Sequence, residues 1–131
     1  MEAERHTIRL RGPWEFRLLA DTHHAGMQHG KIDISQAAEL LQHVVGRIEW
    51  IRRFHRPTGL EGGERVHLIV GSCVAAVAVD LNDGPLVAAG TEMRYDITDH
   101  LELRNVLRVV VDVDSTQPVQ LEDVRLEITQ A

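Results

Sequence analysis

Residues 6–19, HTIRLRGPWEFRLL, alternate between apolar and polar side chains on both sides of a Gly12-Pro13 break. An alternation with a period of two is typical of β-strands that bury one face and expose the other. The stretch therefore predicts two short strands that are separated by a turn and share one core. The alternating apolar positions are Ile8 and Leu10 before the break, and Trp14, Phe16 and Leu18 after it.

The same period recurs in five later stretches, and Arg52 is the one charged exception on an otherwise apolar face. Turn signals separate the stretches, the clearest being Pro57-Thr58-Gly59 and Asn82-Asp83-Gly84-Pro85. About eight or nine short strands at this spacing predict an all-β sandwich, with residues 1–131 as a single domain. The later apolar positions are Ile48, Trp50 and Phe54; Val66, Leu68 and Val70; Cys73, Ala75, Val77, Val79 and Leu81; Leu107, Val109, Val111 and Val113; and Val124, Leu126 and Ile128.

One segment breaks the period of two. In ISQAAELLQHVV, residues 34–45, the apolar side chains recur at helical spacing. Asp33 or Ser35 can cap its start and Gly46 can end it, so we expect one short helix near residues 35–45. The preceding stretch DTHHAGMQHGK, residues 21–31, has no periodicity and predicts a loop.

The composition is that of a globular protein, with 131 residues, 44% hydrophobic and 26% charged. A formal net charge of -6 argues against binding to nucleic acid or to an anionic membrane surface. The single cysteine, Cys73, allows neither an internal disulfide nor a cysteine zinc cluster. The N-terminal MEAERHTIRL lacks the apolar stretch of a signal peptide, which predicts a cytoplasmic protein.

Four segments, in order, resemble the sugar-binding jelly-roll domain of glycoside hydrolase family 2 enzymes. The resemblance implies a galactose-binding-like jelly-roll sandwich. Asn82 is followed by Asp83 where the family has glycine, so we expect a hairpin one residue longer. The segments are LRGPWEFRLL, similar to L-x-G-x-W-x-F; WIRRFHRPTGLEGGERVHLIV, with Trp50, Arg52, Phe54 and Pro57 on the family pattern; AAVAVDLNDGPL; and YDITDHLELRNVLRVVVD, with Tyr95 to Asp99, Leu101, Asn105 and Leu107 matching.

The resemblance also implies that the chain has no catalytic residues. In the family, two glutamates on a separate (β/α)8 barrel carry the glycosidic chemistry, and such a barrel needs about 250 residues. No G-x-S-x-G elbow, P-loop or dinucleotide fingerprint occurs in the sequence. We therefore predict a protein that is not an enzyme and has no cofactor.

Few residues are candidates for ligand binding. His23, His24 and His29 form the one dense histidine group; neutral imidazoles can bind zinc, and the alternative is a loop without metal. Arg52 and its neighbour Arg53 are interpreted first as charges on the strand surface and second as ligand clamps.

Other polar and aromatic positions have structural interpretations. Asp112 and Asp114 fit a solvated strand face, with a structural calcium ion as the alternative. Asp96, Thr98 and Asp99 are interpreted first as shaping a turn over residues 96–99 and second as functional residues. The aromatic side chains are expected to be packed, which argues against tight, lectin-like sugar binding; they are Trp14, Phe16, Trp50, Phe54 and Tyr95.

Three functional hypotheses follow. The first is a non-catalytic accessory or interaction module that binds a carbohydrate weakly through loops at one end of the sandwich, or docks onto a glycoside-processing protein. The second is a purely structural module that self-associates. The third, less favoured, is a small metal-dependent hydrolase that uses the histidine loop. The sequence leaves the ligand and the oligomeric state open.

Overall fold

Ten strands form two antiparallel sheets in this computed structural model, which describes residues 5–19, 29–33, 36, 45–71, 76–87, 93–113 and 123–130. One sheet has the order β1-β10-β5-β8 and the other β3-β2-β4-β9-β6-β7. The predicted all-β sandwich is confirmed. The strands are β1 (Arg5–Arg9), β2 (Trp14–Leu18), β3 (His29–Ile32), β4 (Gly46–His55), β5 (Glu64–Gly71), β6 (Ala76–Leu81), β7 (Gly84–Pro85), β8 (Arg94–Asp96), β9 (Arg104–Val113) and β10 (Asp123–Gln130).

The core lies between the two sheets and is built around two tryptophans. Trp14 and Trp50 are fully buried and meet edge to face, with ring centroids 6.5 Å apart. Trp14 Nε1 donates a hydrogen bond of 2.7 Å to the carbonyl oxygen of Leu10, so its polar atom is satisfied within the core. The alternating positions of both sheets close over this pair, as the period of two predicts.

The hairpin between β6 and β7 is shorter than expected. Leu81 pairs with Gly84, which leaves a two-residue loop of Asn82 and Asp83 with φ angles of 52° and 66°. The prediction of a longer hairpin is wrong because Asn and Asp tolerate the left-handed conformation that such a loop requires at both positions.

The turn predicted at residues 96–99 is confirmed. The amide and the hydroxyl of Thr98 both donate to Asp96 Oδ1, over 3.1 and 2.7 Å. The same hydroxyl accepts a hydrogen bond of 2.8 Å from the amide of Val66 on β5. The turn thereby fixes β8 to β5 and places Ile97, which is fully buried, in the core.

Two expectations concern the segment between β2 and β4. The predicted loop at residues 21–31 is wrong for His29, Gly30 and Lys31, because they pair with β2 as part of β3. The predicted helix near residues 35–45 lies outside the described residues except for Gln36 and Val45, and Gly46 begins β4. The two short strands β3 and β7 bring the number of strands above the eight or nine predicted. No helix within the described ranges is long and apolar enough to span a membrane.

Candidate functional site

The site best suited to bind a small molecule lies where β4 continues past the end of β2. The pairing of β2 with β4 ends at Glu15 and Ile51, whereas β4 runs on to His55, where β9 is its one neighbour among the described strands. No described strand therefore pairs with residues 52–55 on the side of β2, next to the turn at Gly12. The space between the sheets opens at this stretch of β4.

A cleft of about 700 Å³ occupies this end of the sandwich. We call it the inter-sheet cleft, because inward-facing side chains of both sheets line it. The volume falls in the range of about 300 to 1,000 Å³ that is usual for small-molecule sites. The inward-facing lining residues are Ile8, Leu10 and Leu126 from the four-stranded sheet, and Arg52, Phe54 and Asn105 from the six-stranded sheet.

Arg52 lies in the cleft and not on the solvent face of the strand. The alternation along β4 places it on the same side as Trp50, and its Nη2 donates to the carbonyl oxygen of Gly12 over 3.2 Å. Its Nη1 donates to the carbonyl oxygen of Arg53, and its Nε is buried without a partner among the described residues. Burial lowers the pKa of Arg52, but a guanidinium group stays charged at neutral pH.

The interpretation of Arg52 as a strand-surface charge is therefore wrong, and that of Arg53 is confirmed. Arg53 points to the opposite face and pairs with Glu15, with 2.7 Å between Nη1 and Oε1. No described carboxylate lies within ion-pair distance of Arg52, so its charge is compensated only by backbone carbonyls.

Half of the other lining residues of the cleft are arginines. Arg9, Arg104 and His55 line it together with Arg53, and none of the described lining residues is Asp or Glu. Neither Arg9 nor Arg104 forms an ion pair with a carboxylate in the described ranges. The cleft thus combines an apolar inner wall with a positively charged rim.

Asn105 connects the cleft to the hairpin at Asn82. It is 1% exposed, and its Oδ1 accepts hydrogen bonds from Asn82 Nδ2 and from the amide of Glu102 over 3.0 and 2.9 Å. Its Nδ2 donates to the carbonyl oxygen of Glu102 over 2.9 Å. From the sequence, Asn105 has no predicted role beyond its match to the family pattern. A polar residue at the start of the apolar stripe of β9 was the signal that could have identified it.

Phe54 is the one aromatic side chain that departs from the predicted packing. It is half-buried, lies against the edge of the core and lines the cleft. The other four aromatic side chains are buried as predicted. The expectation that every aromatic is enclosed in the core is therefore wrong for Phe54, because β4 extends beyond the strand that would have covered it.

The histidine group is only partly described. His23 and His24 lie outside the described residues, and His29 is exposed at the start of β3. In the described part of the chain, no three His, Cys, Asp or Glu side chains are placed to hold a metal ion. Asp112 is exposed on β9 and Asp114 lies outside the described residues. The zinc and calcium hypotheses stay predictions.

A second cavity, of about 300 Å³, lies beside β3 on the outer face of the six-stranded sheet. Its carboxylates are already neutralised, because Glu49 pairs with Arg17 and Arg108 over 3.0 and 2.6 Å, and Glu15 pairs with Arg53. This cavity is therefore less suited than the inter-sheet cleft to attract a charged ligand.

Two buried glutamates do not form a glycosidase pair. Glu49 is 7% exposed and Glu127 is 4% exposed. They sit on strands of different sheets, at positions that alternate with core residues, and each pairs with an arginine: Glu127 with Arg94 over 3.2 Å and Glu49 with Arg108. Glycosidic chemistry needs two carboxylates that face one sugar, about 5 to 10 Å apart. Glu49 and Glu127 instead face away from each other on opposite sides of the sandwich.

Comparisons with known proteins show a likeness in structure. No family model and no curated protein matches the chain. The β-glucuronidase of Bifidobacterium dentium, solved with coumarin-3-O-glucuronide, is 22% identical with a TM-score of 0.70, covering 97% of this chain and 30% of that one. The β-D-glucuronidase of Dictyoglomus thermophilum is 16% identical with a TM-score of 0.69, covering 96% and 28%. The rhamnosidase of Novosphingobium sp. PP1Y is 16% identical with a TM-score of 0.74, covering 98% and 16%.

These comparisons confirm at the level of fold the resemblance that four sequence segments indicated. The chain corresponds to one domain of such glycosidases and spans less than a third of their length. At least 70% of each of these three chains lies outside the part that this chain matches. Because one fold occurs in enzymes with different sugar substrates, the fold alone does not define the ligand.

Proposed function

We propose that this chain is a non-catalytic accessory module that binds carbohydrate weakly in the inter-sheet cleft. The observation that carries the proposal is the cleft itself: an opening of about 700 Å³ between the sheets, with an aromatic side chain and arginines in its lining. Protein sites for sugars combine an apolar or aromatic wall with a few polar groups that fix orientation. Phe54 and Arg52 supply these two elements.

The similar solved structures support the link to carbohydrate, since they are glycosidases that contain a domain of this fold. The pairing of Glu49 and Glu127 with arginines on opposite faces supports a role without catalysis. We also propose that the module works beside a glycoside-processing protein. A cytoplasmic location belongs to this proposal, because a chain with one cysteine fits a reducing compartment.

A glycan array followed by calorimetry with the purified chain tests the binding. We expect Kd values near the millimolar range for saccharides, since half-exposed sites with one aromatic contact give modest affinity. Phe54→Ala should abolish the binding, and Val87→Ala, at an exposed position after β7, should not change it. The absence of binding to any saccharide at tens of millimolar would reject this part of the proposal. Turnover of chromogenic glycosides by the chain would reject the non-catalytic part.

A second candidate function is self-association as a structural module. Large hydrophobic side chains are exposed in the described part of the chain: Val45, Val87, Leu103 and Val106, of which Leu103 is 77% exposed. Such side chains occur at protein interfaces when they are contiguous. Light scattering with the native chain and with Leu103→Ser tests this candidate. A native chain that stays monomeric when its concentration is raised 100-fold would reject this candidate.

A further inference from the structure

We infer that the inter-sheet cleft selects ligands that carry a small oxyanion, meaning a carboxylate, sulfate or phosphate group. Arg52 and Arg104 are the residues that recognise it. The inference rests on the proposed function, from which it takes the cleft as the binding site of a saccharide. It adds the chemical class of that saccharide, which is acidic.

The distribution of charge is the first argument. The chain carries a formal net charge of -6, yet three arginines without a carboxylate partner in the described ranges, Arg9, Arg52 and Arg104, line this one cleft, and none of the described lining residues is acidic. Grouped like charges repel one another, which lowers the stability of the folded state. A cluster of this kind on an acidic protein is expected where a counter-charge is bound.

The pairing of the arginines with carboxylates also supports the inference. Five arginines elsewhere in the described structure lie within ion-pair distance of a carboxylate: Arg17, Arg65, Arg94, Arg108 and Arg125. Of the four in the cleft, only Arg53 is neutralised in this way. Arg52 is half-buried and has no anionic partner in the described ranges, although burying a charge without its counter-charge is costly.

The surroundings of Arg52 are the third argument. Ile8, Leu10, Phe54 and Leu126 make the inner wall of the cleft apolar. A low local dielectric strengthens the attraction between a guanidinium and an oxyanion compared with the same pair in water. The apolar wall would also pack against the ring of a sugar that carries the anion. Cation and wall together therefore fit an acidic saccharide better than a neutral one.

The test measures thermal unfolding of the chain with sodium acetate, sulfate and phosphate, and with galacturonic acid against galactose, all at one ionic strength set with sodium chloride. Arg52→Gln and Arg104→Gln remove the proposed contacts. Arg47→Gln, at the opposite end of β4, is the matched control. Because Arg52 also holds the carbonyl of Gly12, its replacement can impair folding; the exposed Arg104 provides a second variant without that risk.

We expect Tm to rise and saturate with at least one oxyanion for the native chain and for Arg47→Gln. The apparent Kd should be weaker by at least about tenfold in Arg52→Gln and in Arg104→Gln, the loss expected when a hydrogen bond to a charged group is removed. The preferred probe identifies the oxyanion as planar or tetrahedral, and either preference supports the inference. Equal responses of all four proteins would overturn it, because a general salt effect acts on every variant alike.

The two proposals can fail separately. Galactose binding as strongly as galacturonic acid would overturn the inference and leave the proposed function standing. Saturation by inorganic anions at Arg52, with no saccharide bound, would leave an oxyanion site and reject the proposed function.

Discussion

Replacing Asn105 with alanine should destabilise the protein by about 3 kcal/mol. Its side chain takes part in three hydrogen bonds of 3.0 Å or less, with Asn82 Nδ2, the amide of Glu102 and the carbonyl of Glu102. Each is worth about 1 kcal/mol net when the surroundings can rehydrate, and more when a partner stays buried without a replacement. Since Asn105 is 1% exposed, we expect little rehydration.

Urea unfolding at pH 7, extrapolated linearly to water, measures this change. At about 3 to 4 °C per kcal/mol for a chain of this size, Tm should fall by roughly 10 °C. Gln130→Ala, which removes an exposed amide at the end of β10, is the control and should stay within about 0.5 kcal/mol of the native protein.

The double variant Asn82→Ala with Asn105→Ala tests the reasoning further. It should cost less than the two single changes combined, because the two side chains share a hydrogen bond. A loss below about 1 kcal/mol for Asn105→Ala, or strict additivity in the double variant, would refute the view that this amide fastens the hairpin to the cleft.

Three further predictions concern the pH dependence of stability and the core. Burial, followed by the charge of Arg94, lowers the pKa of His67 below its ordinary 6.5, so the folded state prefers neutral His67 and should lose stability as pH falls below that value. Between pH 7.5 and 5.5, the urea midpoint should decline less steeply for His67→Gln than for the native protein. Equal slopes for the two proteins would contradict the assignment of this pH dependence to His67. Burial tends to raise the pKa of Asp96, but hydrogen bonds from Thr98 and Arg65 outweigh this effect and lower the pKa from 3.8 to about 2. Ionised Asp96 therefore stabilises the folded state above pH 4, and this stabilisation is lost between pH 4 and 2. Asp96→Asn should cost about 1 kcal/mol at pH 7 once the 38% exposure of the side chain is allowed for, and that cost should vanish by pH 2 in thermal melts. Trp50→Ala should cost about 3 to 5 kcal/mol in the same unfolding assay, and a loss under 1 kcal/mol would place Trp50 outside the core.

The strands and the core could be predicted from the sequence because alternation is a local property of the chain. Trp14 and Trp50 fall on stripes of period two, and both are fully buried. The turn at residues 96–99 was also predictable, since Asp and Thr side chains bond to nearby backbone groups wherever the chain bends.

The cleft could not be predicted in this way, because it depends on where one strand ends relative to its neighbour. The period of two places Arg52 on the inward face, but only the register of β2 with β4 shows that β2 does not pair with residues 52–55. The period of two likewise predicts that Phe54 is enclosed in the core, because the pattern does not show where β2 ends. Likewise, the short hairpin depends on the left-handed conformations of Asn82 and Asp83, which residue type permits but does not specify.

Chemical-shift mapping tests most directly whether the end of the sandwich around Arg52 is where a ligand binds. The ¹⁵N-labelled chain would be titrated with the tightest saccharide from the array, and its amide and arginine Nε–Hε signals followed. We predict that the largest changes fall on Arg52, Phe54 and Arg104, with β3 and the outer face of the six-stranded sheet unchanged. Saturable changes centred on the second cavity, at His29 and Glu49, with none at Arg52, would contradict the account.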